Sequence, residues 1–100
     1  RCVGLEVVYA HDRALWSMSY AGGMANNVEQ DLAAPVYAFL RQALLLAPAE
    51  LPLRGPCELA QNGIRYQCTV QGTLDWFHGE ECITQDGSVL YTLQFSGGAL

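Results

Sequence analysis

The chain contains the same hairpin pattern twice, and this repeat constrains the possible folds more than any other feature of its sequence. A shift of 75 positions aligns residues 4–25 with residues 79–100 without a gap. The residues identical in both copies are Gly4/Gly79, Glu6/Glu81, Leu15/Leu90, Gly22/Gly97 and Gly23/Gly98. Self-similarity at a fixed offset indicates an internal duplication. We therefore expect the two hairpins to occupy related positions in one sheet.

Alternation of apolar and polar residues predicts the strands of this sheet. Residues 64–70 and 89–95 alternate in the period-two pattern of a strand with one buried face. Residues 16–20 alternate in the same way, and residues 6–9 are their expected hairpin partner. Because the alternating positions of both copies are apolar, one face of the sheet should pack against another layer.

Turn residues separate the predicted strands. Asn62-Gly63 and Asp86-Gly87 are dipeptides that tolerate the positive φ angles of type I′ turns, and Gln71-Gly72 is a weaker example. The glycine pairs Gly22-Gly23 and Gly97-Gly98 are expected to release each second strand into a loop. The turns thus support a set of antiparallel hairpins.

One amphipathic helix is predicted between the two halves, over residues 35–46. Its apolar positions follow helical spacing, with Pro35 tolerable in the first turn and Pro48 as a stop. The expected core residues of this helix are Val36, Phe39, Leu40, Ala43 and Leu44. The order is two strands, a helix, and three or four further strands. The predicted fold is a single α+β domain over residues 1–100, with the helix packed on a curved antiparallel sheet.

Composition and charge exclude several classes of function. The chain is 51% hydrophobic, has a net charge of -5, and contains five arginines and no lysine, so direct nucleic-acid binding is disfavoured. Its apolar stretches are too short to span a membrane. The four cysteines lack C-x-x-C spacing and suit mostly buried free thiols, which predicts a cytoplasmic protein without disulfides. No cofactor motif is present, and no metal site is predicted.

The segments "GLEVVY…LWSMSYAGG", "FLRQAL…LRGP" and "RYQCTVQGTLDWFHGEECI…DGSVLYTLQFSGG" together resemble an uncharacterised bacterial domain of unknown function. The resemblance covers nearly the whole chain and implies a protein found alone or fused to an XRE-type helix-turn-helix. It implies no catalytic residues. That family usually has a strand before its first Gly-x-Glu, matching residues 64–77 here, and this chain begins later. It therefore resembles a short, stand-alone member of the mobile gene-cassette type, or one whose front piece is missing.

The candidate site residues are a carboxylate pair and a set of large aromatic side chains. Glu81 shares a strand face with Phe77 and Ile83 if the strand is regular, and Glu6 is its repeat equivalent. A carboxylate on an apolar face requires hydrogen bonds, so it either joins a structural network or serves a pocket. The candidate pocket residues are Glu6, Trp16, Tyr20, Tyr66, Phe77, Glu81, Tyr91 and Phe95. We expect Glu81 to be buried, and the pocket to lie between sheet and helix.

Three classes of function remain open at this point. The first is a small-molecule-binding or sensing module that uses the aromatic pocket. The second is a protein-interaction module, since the first hairpin should leave an open apolar edge that forms a homodimer. The third is a small hydrolase or isomerase that uses Glu81 with His78, although no nucleophile motif accompanies them. The identity of any ligand does not follow from the residues.

Overall fold

The computed structural model describes all residues from 1 to 100 and contains six strands and one α-helix. The strands are β1 (Cys2–Ala10), β2 (Arg13–Met24), β3 (Glu58–Gln61), β4 (Ile64–Thr73), β5 (Trp76–Gln85) and β6 (Ser88–Ala99). A short 3-10 turn at Gln30–Leu32 leads into the helix α1 (Ala33–Leu44), which separates β2 from β3. The α+β class and the predicted order of elements are confirmed.

All six strands form one antiparallel sheet in the order β1-β2-β6-β5-β4-β3. The two hairpins of the repeat, β1-β2 and β5-β6, are therefore side by side, with β2 against β6 at their junction. Strands β3 and β4 extend the sheet beyond the second hairpin only. As a result, β1 is an edge strand, whereas its repeat equivalent β5 is covered by β4.

The strand register confirms the internal duplication. Glu6 lies opposite Met18 in the first hairpin, and Glu81 lies opposite Leu93 in the second, at the same 75-residue offset. Both hairpins also carry a register shift at the same repeat position, just before their turns. The two copies have thus kept one backbone geometry, including its bulge.

A pseudo-two-fold axis relates the hairpins. In the β2-β6 pairing, Tyr20 lies directly opposite Phe95, which is its own repeat equivalent. Because β2 and β6 are antiparallel, exchanging the copies preserves every pair of this ladder. The axis therefore passes through the Tyr20–Phe95 pair, perpendicular to the sheet.

The glycine pairs lie inside β2 and β6, so the prediction that they end the strands is wrong. A Cβ atom on Gly22 would collide with the carbonyl oxygen of Thr92, and one on Gly97 would collide with that of Ser17. Gly23 and Gly98 have φ angles of 154° and 156°, which L side chains rarely adopt. Gly22 and Gly97 therefore serve the close approach of β2 and β6, and Gly23 and Gly98 serve the backbone conformation.

The helix α1 covers one face of the sheet. It begins at Ala33 and ends at Leu44, two residues earlier at each end than predicted, with Pro35 in its first turn. Four of its five predicted core residues are buried, and Leu44 is half-buried. The buried apolar core comprises Met18, Val36, Phe39, Leu40, Ala43, Leu53, Tyr66, Cys68, Phe77, Ile83, Leu90, Tyr91, Leu93 and Phe95. At 12 residues, α1 is too short to span a membrane.

Two of the three predicted turns are confirmed. Asn62-Gly63 and Asp86-Gly87 adopt positive φ angles, as does His11-Asp12 between β1 and β2. Gln71-Gly72 instead lies inside β4, and that hairpin turns at residues 74–75. Gly72 has a φ of 99°, so this glycine accommodates an unusual backbone conformation within a strand rather than a turn.

The cysteines are free, as predicted, but they are not mostly buried. Cys68 is buried and Cys57 is exposed, while Cys2 and Cys82 are half-buried. Burial raises the pKa of the Cys68 thiol. The partial burial of Cys82 raises the pKa of its thiol as well. The sequence could not separate these cases, because Cys57 lies in the loop before β3, where alternation gives no information.

Candidate functional site

Glu81 is the only charged side chain that is fully buried, with none of its surface exposed. Its carboxylate accepts three hydrogen bonds. Arg54 Nη2 donates to Oε1 at 2.6 Å, Tyr91 donates to the same oxygen at 2.9 Å, and Tyr66 donates to Oε2 at 2.5 Å. The predicted burial and hydrogen bonding of Glu81 are thereby confirmed. We call these four residues the Glu81 network.

Arg54 was not among the predicted site residues. It comes from the loop between α1 and β3, where only 9% of its side chain remains exposed. The backbone N–H of Gly55 donates to the Tyr66 hydroxyl at 3.0 Å, which fixes the loop next to the network. The guanidinium also lies over the Tyr20 ring, 5.4 Å from its centroid. Arg54 thus connects the second hairpin, through Glu81, to the first.

The environment of the network holds its hydroxyl groups in the protonated form. Burial, reinforced by the Glu81 carboxylate, raises the pKa of Tyr66 and of Tyr91 far above that of an exposed tyrosine. Burial lowers the pKa of Arg54, but its hydrogen bond and ion pair with Glu81 raise it to a greater extent overall. Tyr66 and Tyr91 therefore remain neutral donors, and Arg54 remains charged.

The first copy of the carboxylate has a different environment. Glu6 is exposed, because it lies on the edge strand β1, which has no neighbour equivalent to β4, and because Arg54 pairs with Glu81 instead. The repeat equivalent of Tyr91 is Trp16. Glu6 therefore lacks the hydrogen-bond donors that Tyr66, Tyr91 and Arg54 supply to Glu81. The equivalence of the two glutamates holds for the backbone register and fails for the side-chain environment.

The remaining predicted pocket residues are divided between the core and its margin. Tyr66, Phe77, Tyr91 and Phe95 are buried core residues, whereas Trp16 and Tyr20 are half-buried. Trp16 stacks on Phe77 with ring centroids 5.6 Å apart, and its indole N–H donates to the Leu74 carbonyl. These rings pack in the core between sheet and helix, where the ligand space was expected.

His78 and Glu81 lie on opposite faces of β5. Their separation of three residues in a regular strand points the two side chains in opposite directions. The register of β5 is continuous from Trp76 to Ile83, and His78 is exposed while Glu81 is buried. The predicted acid/base pair of Glu81 with His78 is therefore wrong.

A cavity lies on the other side of the sheet, on the face opposite α1, which we call the helix-free face. It is a groove of about 740 Å³ centred on the pseudo-two-fold axis, and we call it the sheet groove. Its polar lining consists of Ser19, Thr69, Gln71, His78, Glu80, Gln94 and Ser96. Gly4, Tyr20, Gly79 and Phe95 contribute to its floor, and Val3 and Ala21 complete it.

The register arranges the groove residues in two rows across five strands. The first row runs Val3, Ala21, Gln94, Glu80, Thr69, and the second runs Ser19, Ser96, His78, Gln71 and is continued on β1 by Leu5, which does not line the groove. Neighbours within a row are cross-strand partners, close enough for one ligand to reach both. None of the seven polar side chains makes a hydrogen bond within the protein. Their donors and acceptors are free for a ligand.

A second cavity of about 330 Å³ adjoins the sheet groove and shares His78 and Ser96 with it. Its wall is Trp76, the first residue of β5, whose side chain is 80% exposed. The cross-strand partner of Trp76 is Gly98, and beyond it lies Ser17, so the neighbouring strands leave a space beside the indole, which Leu100 also lines. We call this space the Trp76 cavity.

Sequence reasoning missed the helix-free face because it followed the apolar residues. The same alternation that places Phe77, Glu81 and Phe95 inward places His78 and Ser96 outward. The available signal was the run of unpaired polar residues at alternate positions of β4, β5 and β6, next to an exposed tryptophan. Only the strand order, which brings these strands together, turns that signal into a site.

Comparisons with known proteins identify a family without a function. No curated protein and no solved structure matches the chain. The family model described as Domain of unknown function (DUF5680) matches residues 1–100, which is the whole chain. The match agrees with the family resemblance of the hairpin segments. The chain therefore belongs to this domain family of unknown function.

Proposed function

We propose that this domain binds a small molecule in the sheet groove on the helix-free face. The observation that supports this proposal is the row arrangement of seven polar side chains without partners in the protein. A sheet face that is only solvated needs no concave form, whereas a groove of about 740 Å³ is within the size range of ligand sites. The groove is open before any ligand arrives, which limits the ordering cost of binding.

The divergence of the two hairpins supports the same proposal. On the helix-free face, Val3 and Ala21 of the first copy correspond to His78 and Ser96 of the second. The half formed by the first hairpin is therefore the less polar one, with Ser19 among its lining residues, and the other half carries the remaining hydrogen-bonding groups. Duplication supplies two matching halves of one surface, and divergence gives a ligand one mainly apolar and one polar contact surface.

In this proposal the Glu81 network is a structural tie and does not contact the ligand. Arg54 Nε is its only buried side-chain N or O atom without a hydrogen-bond partner, and Glu81 has no exposed surface. The network holds β4, β5, β6 and the Arg54 loop together, and it thereby fixes the strands that carry the groove residues. Its role in binding is therefore indirect.

The cellular setting implied by the family resemblance is consistent with a sensing role. In a bacterial protein that occurs beside an XRE-type helix-turn-helix, such a groove would report the presence of a metabolite. We place this domain in the cytoplasm, because four free thiols suit a reducing compartment.

A thermal-shift screen against a metabolite library tests the proposal. A ligand of the sheet groove should raise the melting temperature in proportion to its occupancy. The shift should be lost in Gln94→Ala, which removes a groove amide, and retained in Gln42→Ala, an exposed position of α1. A ligand whose shift survives Gln94→Ala and His78→Ala, or a library without any binder, would contradict the proposal.

A second candidate function is homodimerisation through β1. This edge strand has unpaired backbone groups and exposes Val3 by 76%, Leu5 by 66% and Tyr9 by 65%. Antiparallel pairing of two β1 strands around a two-fold axis would cover these side chains in a closed assembly. Sedimentation of the wild type and of Leu5→Lys tests this candidate. A dimer abolished by the lysine supports it, and a wild-type monomer at micromolar concentration contradicts it.

A further inference from the structure

We propose that the ligand of the sheet groove is a neutral oligosaccharide, which stacks one ring on Trp76 and extends along the polar rows. This inference rests on the proposed function and specifies its ligand class. Three features of the helix-free face carry it: the charge of the lining, the kind of hydrogen-bonding groups it offers, and the exposed indole at one end.

The charge of the lining excludes anionic ligands. Glu80 contributes a negative charge to the sheet groove, and neither cavity is lined by an arginine. The chain has no lysine, and its net charge is -5. A phosphate or carboxylate ligand would therefore meet repulsion with no cation to offset it. Nucleotides and organic acids do not fit this surface.

The hydrogen-bonding groups match those of hydroxyl-rich molecules. Serine and threonine hydroxyls and glutamine amides can both donate and accept, and Glu80 adds an acceptor. A sugar hydroxyl also donates and accepts at once. Gln94, Ser96 and Gln71 thus offer a neutral array in which adjacent hydroxyls of a ring find complementary partners. A purely apolar ligand would leave this array unsatisfied and desolvated.

Trp76 supplies the apolar contact. Its indole is 80% exposed on a strand face, beside a space of about 330 Å³ that Gly98 leaves open. A Cβ atom at position 98 would collide with the Asp75 carbonyl oxygen, so the fold itself keeps this position free of a side chain. A flat aromatic surface of this kind buries the C–H face of a pyranose ring while the hydroxyls at its rim remain available to polar groups.

The two cavities together indicate more than one ring. They share His78 and Ser96, so the Trp76 cavity continues into the sheet groove. Trp76, His78 and Glu80 follow one another along the helix-free face of β5, two residues apart. Side chains at this spacing are about 7 Å apart. A chain of linked sugar rings can therefore place one ring on Trp76 and the next over the polar rows.

Isothermal titration calorimetry with defined trisaccharides tests the inference. We would use maltotriose, cellotriose, xylotriose and the trimer of N-acetylglucosamine as probes, with adenosine and spermidine as neutral aromatic and cationic comparators. At least one trisaccharide should bind saturably. Trp76→Ala should weaken it roughly 10-fold or more, and Trp76→Phe should restore part of the affinity. The matched control is Leu45→Ala, because Leu45 is an equally exposed apolar residue at the end of α1.

The outcomes separate this inference from the proposed function. Trisaccharide binding that requires both Trp76 and Gln94 supports the inference. Binding of adenosine, spermidine or a library metabolite in a Gln94-dependent manner, with no trisaccharide bound, overturns the saccharide class and leaves the groove as a site. Trisaccharide binding that Trp76→Ala leaves unchanged overturns the stacking role. Absence of any Gln94-dependent ligand overturns both, provided that circular dichroism finds each variant folded.

Discussion

Replacement of Glu81 by glutamine should destabilise the fold severely, although it hardly changes the volume of the side chain. Glu81 has no exposed surface and accepts hydrogen bonds from Arg54, Tyr66 and Tyr91. The amide removes the charge that compensates Arg54 and places an N–H₂ donor among three donors. Breaking a buried ion pair by removing one partner costs about 3 to 5 kcal/mol.

Urea unfolding monitored by tryptophan fluorescence measures this loss. With a denaturant dependence of about 2 kcal/mol per molar, the midpoint for Glu81→Gln should fall by roughly 1.5 to 2.5 M. Two controls make the same chemical change elsewhere. Glu6→Gln alters the exposed repeat equivalent and Glu80→Gln the next residue on the opposite face, and both should stay within about 0.5 kcal/mol of wild type.

A double-mutant cycle isolates the Arg54–Glu81 term. Arg54→Met and Glu81→Gln together should cost clearly less than the sum of the single changes, because the second change removes the group that the first left unpaired. A loss below about 1 kcal/mol for Glu81→Gln, or full additivity with Arg54→Met, would refute the reasoning. So would a normal stability combined with abolished ligand binding, since that result would make Glu81 part of the site.

Three further predictions concern stability and reactivity. Burial raises the pKa of Tyr66 and Tyr91 above the ordinary value of 10.0. The contribution of the two protonated hydroxyls to the free energy of unfolding is therefore complete below pH 10 and is lost as the pH rises further. Urea unfolding at a series of alkaline pH values should detect a fall in that free energy of up to roughly 1.4 kcal/mol per pH unit for each tyrosine. Cys57 should react with a thiol reagent in the native protein, whereas Cys68 should react only in denaturant, and equal rates would contradict its burial. Leu40→Ala should cost about 2 to 5 kcal/mol in chemical unfolding, and a near-neutral result would place that face of α1 outside the core.

The periodicity of the sequence was sufficient to predict the fold class and the inward face. Strict alternation identified β4 and β6, and the spacing of Val36, Phe39 and Leu40 identified α1, because both patterns arise from burial on one side. The repeat at an offset of 75 residues also predicted that Glu6 and Glu81 occupy equivalent register positions. Each of these features is a local pattern or a comparison of two local patterns.

The features that could not be predicted depend on strand order. The sequence alone predicted that the glycine pairs end their strands. Glycine is required at positions 22 and 97 because β2 contacts β6, and this contact is visible only in the structure. The difference between Glu6 and Glu81 arises because β4 pairs with β5 while β1 remains an edge strand, and because Arg54 pairs with Glu81. The position of the groove likewise depends on which strands are neighbours, and no local pattern in the sequence specifies that order.

Side-chain resonances provide the most direct test of the claim that the ligand site lies on the helix-free face. Backbone amides in a sheet respond to ligands on either side, whereas the side-chain amides of Gln71 and Gln94 and the imidazole of His78 belong to one face only. On titration with the strongest binder of the screen, these resonances should shift, while the ring resonances of Tyr66 and Tyr91 should remain in place. Shifts confined to Tyr66 and Tyr91, with the glutamine and histidine resonances unchanged, would contradict the account and place the site beneath the helix.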